Sequence, residues 1–207
     1  MDDKLNGKDK LNLIVETGLQ LVPYVGGALA TAYFGTKQEK RFKRIESFYQ
    51  EFSDQVEQLQ LQLPSVDFHD QDKLISLIEE LNEKVEREST EQKRTYFKKY
   101  LYSTLSSPTN DNFDERRFFL EALATMTLLE CEVLLYIKEQ NNPVRVGSLS
   151  KPEIDLYAIV GSVGRLRMNG FIRLQNDNII INGGDDSLND SFVVSDFGNR
   201  FIQYCIE

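Results

Sequence analysis

His69 is the single histidine of the chain, and it stands in a short polar link with no partner residue in view for metal binding or proton transfer, so it reads as a surface residue. Cys131 and Cys205 lie in apolar helical contexts without metal-ligand spacing; neither a zinc site nor a disulfide framework is expected, and a reducing cytoplasm fits them. The acidic pairs Glu79 with Glu83 and Glu83 with Glu86 fall on a charged helix face, where solvation is the ordinary role. VGGALA and VGSVGR contain glycines, but neither sets a lysine followed by serine or threonine at the spacing of a phosphate loop. Tyr96, Tyr100 and Tyr102 beside Lys98 and Lys99 have the types needed to stack on nucleobases, although aromatic residues at helical spacing more often form core. No catalytic constellation emerges, so the expectation is a non-enzymatic protein with no cofactor, no metal and no small-molecule substrate.

A second kind of chemistry is physical. Thr17 to Gly35, TGLQLVPYVGGALATAYFG, carries no charge, and Lys37, Lys40, Arg41, Lys43 and Arg44 follow it directly. Tyr24, Val25, Gly26, Gly27, Leu29, Tyr33 and Phe34, together with those five cations, are the candidates for contact with an anionic membrane, where each cation contributes ~1 kcal/mol near the headgroups. A conventional span needs ~20 predominantly apolar residues, and Pro23, Gly26 and Gly27 interrupt this run. Gly26 with Ala30, Gly27 with Thr31 and Ala28 with Ala32 set small residues one turn apart, which permits close helix contact in a membrane or in a soluble bundle. Burial within the protein and exposure to a membrane are both open readings of the run. Asp2 and Asp3 stand where a signal peptide would be basic, so export is not expected.

The elements that would position these residues follow from periodicity. With 41% hydrophobic and 28% charged residues the chain can bury a core as one elongated domain or two small ones. Its net charge is -9, and both halves, divided near Phe113, are acidic, so neither is an obvious polyanion binder. Phe42, Ile45, Tyr49, Phe52, Val56, Leu59 and Leu63 mark the seam of a long helix ended by Pro64. Leu74, Ile78, Leu81 and Val85 continue a second seam, interrupted from Glu86 to Arg94 before Phe97, Leu101 and Leu105 resume it. An antiparallel helical hairpin or coiled coil over residues 37–107 is expected after an apolar helical segment over residues 1–36. SSPTNDN, from Ser106 to Asn112, is the best linker, and Phe118, Phe119, Ala122 and Leu123 mark the buried face of the next helix.

Residues 112–207 read as a winged-helix domain with a small β-hairpin wing. Thr127 and Glu130 form a capping box opening TLLECEVLLYIKEQ, which Pro143 and Gly147 end. A further helical segment opened by Ser150, Pro152 and Glu153 runs through Leu156, Ile159, Val160, Val163 and Leu166 to Asn169, with Gly170 as a left-handed cap. β-rich runs at Phe171 to Gln175, Asn178 to Ile181 and Phe192 to Val194 precede a closing helix from Ser195. Arg165, Arg167 and Arg173 are the candidates for DNA contact, but Asp177, Asp185, Asp186 and Asp190 place negative charge on or near the wing, where phosphate binding needs positive charge. Protein contact therefore ranks above DNA contact for this domain.

Several blocks carry a resemblance: LVPYVGGALATAYFG, QEKRFKRIESFYQEF, EQKRTYFKKYLYSTLSS, ERRFFLEALATMTLLECEVLLYI and VVSDFGNRFIQYC. In these the chain resembles uncharacterised bacterial proteins of the abortive-infection Abi-alpha type. The resemblance implies a bacterial cytoplasmic protein with a role in phage defence, its apolar N-terminal segment acting on membranes after a trigger; it carries over no active site. The expectation from all of this is a mainly α interaction protein with a protein partner or a homo-oligomer, peripheral to the inner face of the cell membrane. A dimeric winged-helix transcriptional regulator is the alternative.

Overall fold

The computed structural model describes residues 30–59, 63–64, 68–109, 112–175 and 188–207, with the backbone alone described over residues 30–42. The protein is mainly helical, with a small three-stranded antiparallel sheet. It divides into two compact units at Ala124/Thr125. Most of the Thr17 to Gly35 run, the expected helix before it and the β-rich run Asn178 to Ile181 lie outside the described residues.

In the first unit, helix α1 spans Ala30–Gln58 without a break, so the division expected at residues 36 and 37 falls inside one helix. No proline interrupts QEKRFKRIESFYQEF, and its Gln, Glu, Lys and Arg are good helix formers. Ile45, Phe48, Tyr49, Phe52 and Val56 form its buried face. The helix stops before the end of the expected seam: Leu59 lies past its last turn and is 59% exposed.

Helix α2 (Gln71–Arg87) starts at Asp70, whose carboxylate accepts from the Lys73 N–H, and buries Leu74, Leu77, Ile78, Leu81 and Val85. The polar interruption is a true helix break at Glu88 to Thr90, where the Glu88 carboxylate takes the Thr90 N–H at 2.7 Å and pairs with Lys93. Helix α3 (Glu91–Ser106) follows. Arg44 donates to the Glu86 carbonyl and Tyr49 to the Asn82 side chain, pairs whose numbers run in opposite directions, so α1 and α2 lie antiparallel. Arg94 and Lys98 both reach Glu51, which lays α3 back along α1. Burial pushes the Tyr49 phenol upward in pKa, against the opposing effect of its bond to Asn82.

Helix α4 (Phe113–Thr125) belongs almost wholly to this unit rather than to the C-terminal one. Phe119, Leu120, Ala122 and Leu123 are buried, while Phe118 is 41% exposed. Lys84 pairs with Glu121 and Glu80 with Arg117, which aligns α4 with α2. Within the segment expected to be a linker, Thr109 is fully buried and donates to the Asp70 carbonyl, and Ser107 and Pro108 are held by Arg116.

The second unit, Thr125–Glu207, opens with α5 (Leu128–Glu139), whose capping box of Thr127 and Glu130 is present in full. Strand β1 (Val144–Arg145) and a 3₁₀ turn (Val146–Ser148) lead to α6 (Leu156–Met168). Strands β2 (Ile172–Leu174) and β3 (Ser191–Val194) and helix α7 (Asp196–Cys205) complete it. The sheet order is β1-β3-β2, with Val144 opposite Phe192 and Ile172 opposite Val194. Phe171 lies at the centre of the core, stacked on Phe201 at 4.2 Å between ring centroids.

The end of α6 is a Schellman turn: Gly170 has φ +75°, its N–H bonds the Arg167 carbonyl, and the Phe171 N–H bonds the Leu166 carbonyl. Gly170 is the left-handed cap expected from the sequence.

Candidate functional site

Among the described residues, no group of three or more histidine, cysteine, aspartate or glutamate side chains is placed to hold a metal ion. His69 is not a surface residue: it is 7% exposed, bonded to the Leu105 backbone and edge-on to Phe68 at 6.0 Å. Its Nδ1 is buried with no hydrogen-bond partner. Burial foremost, and the nearby positive charge of Arg116, lower its pKa below the ordinary histidine value, outweighing the raising effect of the Leu105 bond. Tyr96 and Tyr100 are buried, the latter donating to the Arg116 carbonyl, so this tyrosine cluster belongs mainly to the core.

The sign of the His69 effect is fixed by linkage. The unfolded chain binds a proton near the ordinary value of about 6.5 and the folded chain only at lower pH. Stability is therefore full above that pH, declines as pH falls below it and levels off under the folded-state value. Urea midpoints measured from pH 8 to pH 5 are expected to show this decline, and His69→Gln is expected to flatten it.

The proposed membrane candidates are placed in part. Tyr24, Val25, Gly26, Gly27 and Leu29 lie outside the described residues, and Tyr33, Phe34, Lys37, Lys40 and Arg41 are on α1 where the backbone alone is described. Lys43 is exposed, whereas Arg44 is half-buried and committed to the Glu86 carbonyl. Among the described residues no helix is long and apolar enough to cross a membrane.

The DNA candidates are placed completely. Arg165 is exposed but engaged: its Nε pairs with Glu130 at 2.7 Å and its Nη2 donates to the Thr125 carbonyl at 2.9 Å. Glu130 is 2% exposed, and its other carboxylate oxygen accepts the Thr127 N–H of the capping box. Arg165 is thus the countercharge of a buried carboxylate. Arg167 is exposed with its guanidinium 6.0 Å from the Phe192 ring centre, and Arg173 is exposed on β2 opposite Val193.

Between the exposed Arg165 and Arg167, α6 offers an apolar strip. Ile159, Ser162, Val163 and Leu166 face the core. On the opposite side stand Tyr157, 71% exposed, and Met168, 80% exposed, with Gly161 and Gly164 between them. At 3.6 residues per turn these four fall within about 60° of one another around the helix. A methyl group added at Gly161 or at Gly164 would meet no atom within 4 Å. Each glycine costs ~1 kcal/mol of helix stability relative to alanine, and nothing within the described chain requires the missing side chain. Beside the start of α6, a depression of about 250 Å³ is lined by Leu129, Val133, Tyr136, Leu149 and Ile159, with the Glu132–Lys151 pair at its edge.

The sequence reading went to the arginines and missed this face. The signal was there in the spacing of Tyr157, Gly161, Gly164 and Met168. Comparison with known proteins adds no further guide: no family model, no curated protein and no solved structure matches the chain.

Proposed function

We propose that the chain is a non-enzymatic bacterial interaction protein whose C-terminal unit is a winged helix used for protein contact. The winged-helix reading is supported by the order α5, β1, α6, β2, β3, by the antiparallel sheet order β1-β3-β2, and by α6 running directly into β2 through Gly170. The 3₁₀ turn Val146–Ser148 takes the place of the middle helix. The observation that carries the functional reading is the face of α6. Its leading cation, Arg165, neutralises buried Glu130, while Tyr157 and Met168 stand exposed. DNA affinity rests on cations free to neutralise phosphates, and exposed aromatic and methionine side chains are enriched in the contact surfaces of proteins.

Within this reading the N-terminal Thr17 to Gly35 segment is sheltered at rest and released to associate with membrane. The support is its lack of charge and the cations that follow it. A place in phage defence is supported by the resemblance of the quoted blocks to Abi-alpha proteins.

The test is Arg165→Ala in the full chain. On this reading it lowers stability by about 1–2 kcal/mol, because Glu130 loses its partner, and leaves retention on random DNA unchanged at a negligible level. DNA retention that falls with salt and with Arg165→Ala and Arg167→Ala supports a DNA-binding regulator instead.

A further inference from the structure

We infer that the exposed face of α6 is the contact surface for a second copy of this chain, the two α6 helices crossing antiparallel about a twofold axis between Gly161 and Gly164. The inference rests on the protein-contact reading above and names its partner.

An antiparallel pair centred there sets Gly161 of one chain against Gly164 of the other and Tyr157 against Met168. The two glycines then lie where the backbones approach most closely, which is the circumstance in which a helix gains from lacking Cβ atoms. At either end the Tyr157 ring meets the Met168 thioether, a favourable sulfur–aromatic contact. Both residues are largely exposed in the single chain, so pairing is what removes them from water.

Charge selects the direction. The entrance to α6 is acidic: Glu153 and Asp155 stand there, while Lys151 is already paired with Glu132. The last turn is basic through Arg167, which is exposed, while Arg165 beside it is already paired with Glu130. An antiparallel arrangement lays the basic end of each helix over the acidic end of the other and opposes the two helix dipoles, whereas a parallel one stacks like charge on like. Self-pairing thus satisfies both ends at once, and a twofold contact needs only one surface to do so. The face is small, so the association is weak, and Kd in the micromolar range is expected.

The test uses the full chain. Sedimentation velocity across a concentration series is expected to show a monomer–dimer equilibrium, weakened ~10-fold or more by Met168→Glu and by Gly161→Gln. Both positions face open space, so Met168→Glu is expected to keep the wild-type unfolding midpoint and Gly161→Gln to keep or raise it. Register is read by cysteine pairing: a mixture of Gly161→Cys and Gly164→Cys chains is expected to form the mixed disulfide faster than either chain pairs with itself, the native Cys131 and Cys205 being buried. A chain that stays monomeric, a dimer indifferent to both variants, or like-with-like disulfides forming fastest would each overturn the inference. The protein-contact reading fails separately: salt-dependent DNA retention lost in Arg167→Ala overturns both, whereas a monomer that does not retain DNA overturns the self-pairing alone.

Discussion

Gly198→Ala is expected to destabilise the C-terminal unit by ~3 kcal/mol or more, a fall of about 10 °C or more in its unfolding midpoint. Gly198 lies in the first turn of α7, and a Cβ built there would stand 2.0 Å from the Phe171 carbonyl oxygen and 2.8 Å from its carbon. The obstacle is backbone, and that backbone cannot withdraw. The Phe171 carbonyl accepts the Ser195 N–H at 2.9 Å, and the Ser195 hydroxyl bonds the Gly170 carbonyl at 2.6 Å while capping the Gly198 N–H at 2.9 Å. The Phe171 N–H is meanwhile held by Leu166, and its ring is stacked on Phe201. Making room for one methyl group therefore opens the end of α6, the start of β2 and the cap of α7 together. The contrast lies within the same unit. Gly161→Ala and Gly164→Ala meet open space and are expected to raise monomer stability by up to ~1 kcal/mol each. Thermal unfolding of the three variants, followed by circular dichroism at low concentration, separates the two kinds of glycine; equal effects at all three positions would contradict this account.

That contrast also shows where sequence reading succeeds. The capping box of Thr127 and Glu130 and the left-handed Gly170 were legible because each needs only a few neighbouring residues. The buried faces of α1 and α2 were legible because a periodic stripe averages over many turns. The helix break at Glu88 to Thr90 was left open, since it contains neither glycine nor proline and depends on a carboxylate folding back onto an N–H. Strand β1 has two residues, and its partner Phe192 is far along the chain, so no local pattern announces it. Gly198 and Arg165 are decided by tertiary approach: a carbonyl from Phe171 in one case, a carboxylate from Glu130 in the other. For Gly198 a weak signal existed, because a glycine inside a helical stretch costs stability and calls for a packing reason. Arg165 offered none; an arginine that serves a buried glutamate and one that awaits phosphate have the same letter.

Arg116→Met is expected to cost the N-terminal unit ~3 kcal/mol or more, and to do so through carbonyls rather than through charge. Arg116 is 6% exposed on the buried stripe of α4 that continues through Phe119, Leu120 and Leu123. Its guanidinium reaches the Thr104 carbonyl at 3.4 Å, the Ser107 carbonyl at 3.2 Å, the Pro108 carbonyl at 2.6 Å and the Ser107 hydroxyl at 3.1 Å. These are the acceptors that the end of α3 cannot satisfy by itself. Methionine fills much of the volume and leaves them without a donor, at ~1–3 kcal/mol for each one that water does not reach. Arg116→Lys is expected to recover only part, because one ammonium cannot reproduce a planar fork spread over three backbone oxygens. The loss is distinguishable from general loosening by its effect on His69. Arg116 is one of the causes that hold the His69 pKa low, second to burial. In a variant that still folds, removing the guanidinium lets that pKa rise toward the ordinary value, so less stability remains to be lost on acidification. Urea midpoints of Arg116→Met at pH 8 and pH 5 should accordingly lie lower than those of the parent chain but closer together. A variant that is equally destabilised yet keeps the full acid sensitivity would mean that Arg116 does not act on His69; one that is not destabilised would mean that the end of α3 is held by other groups.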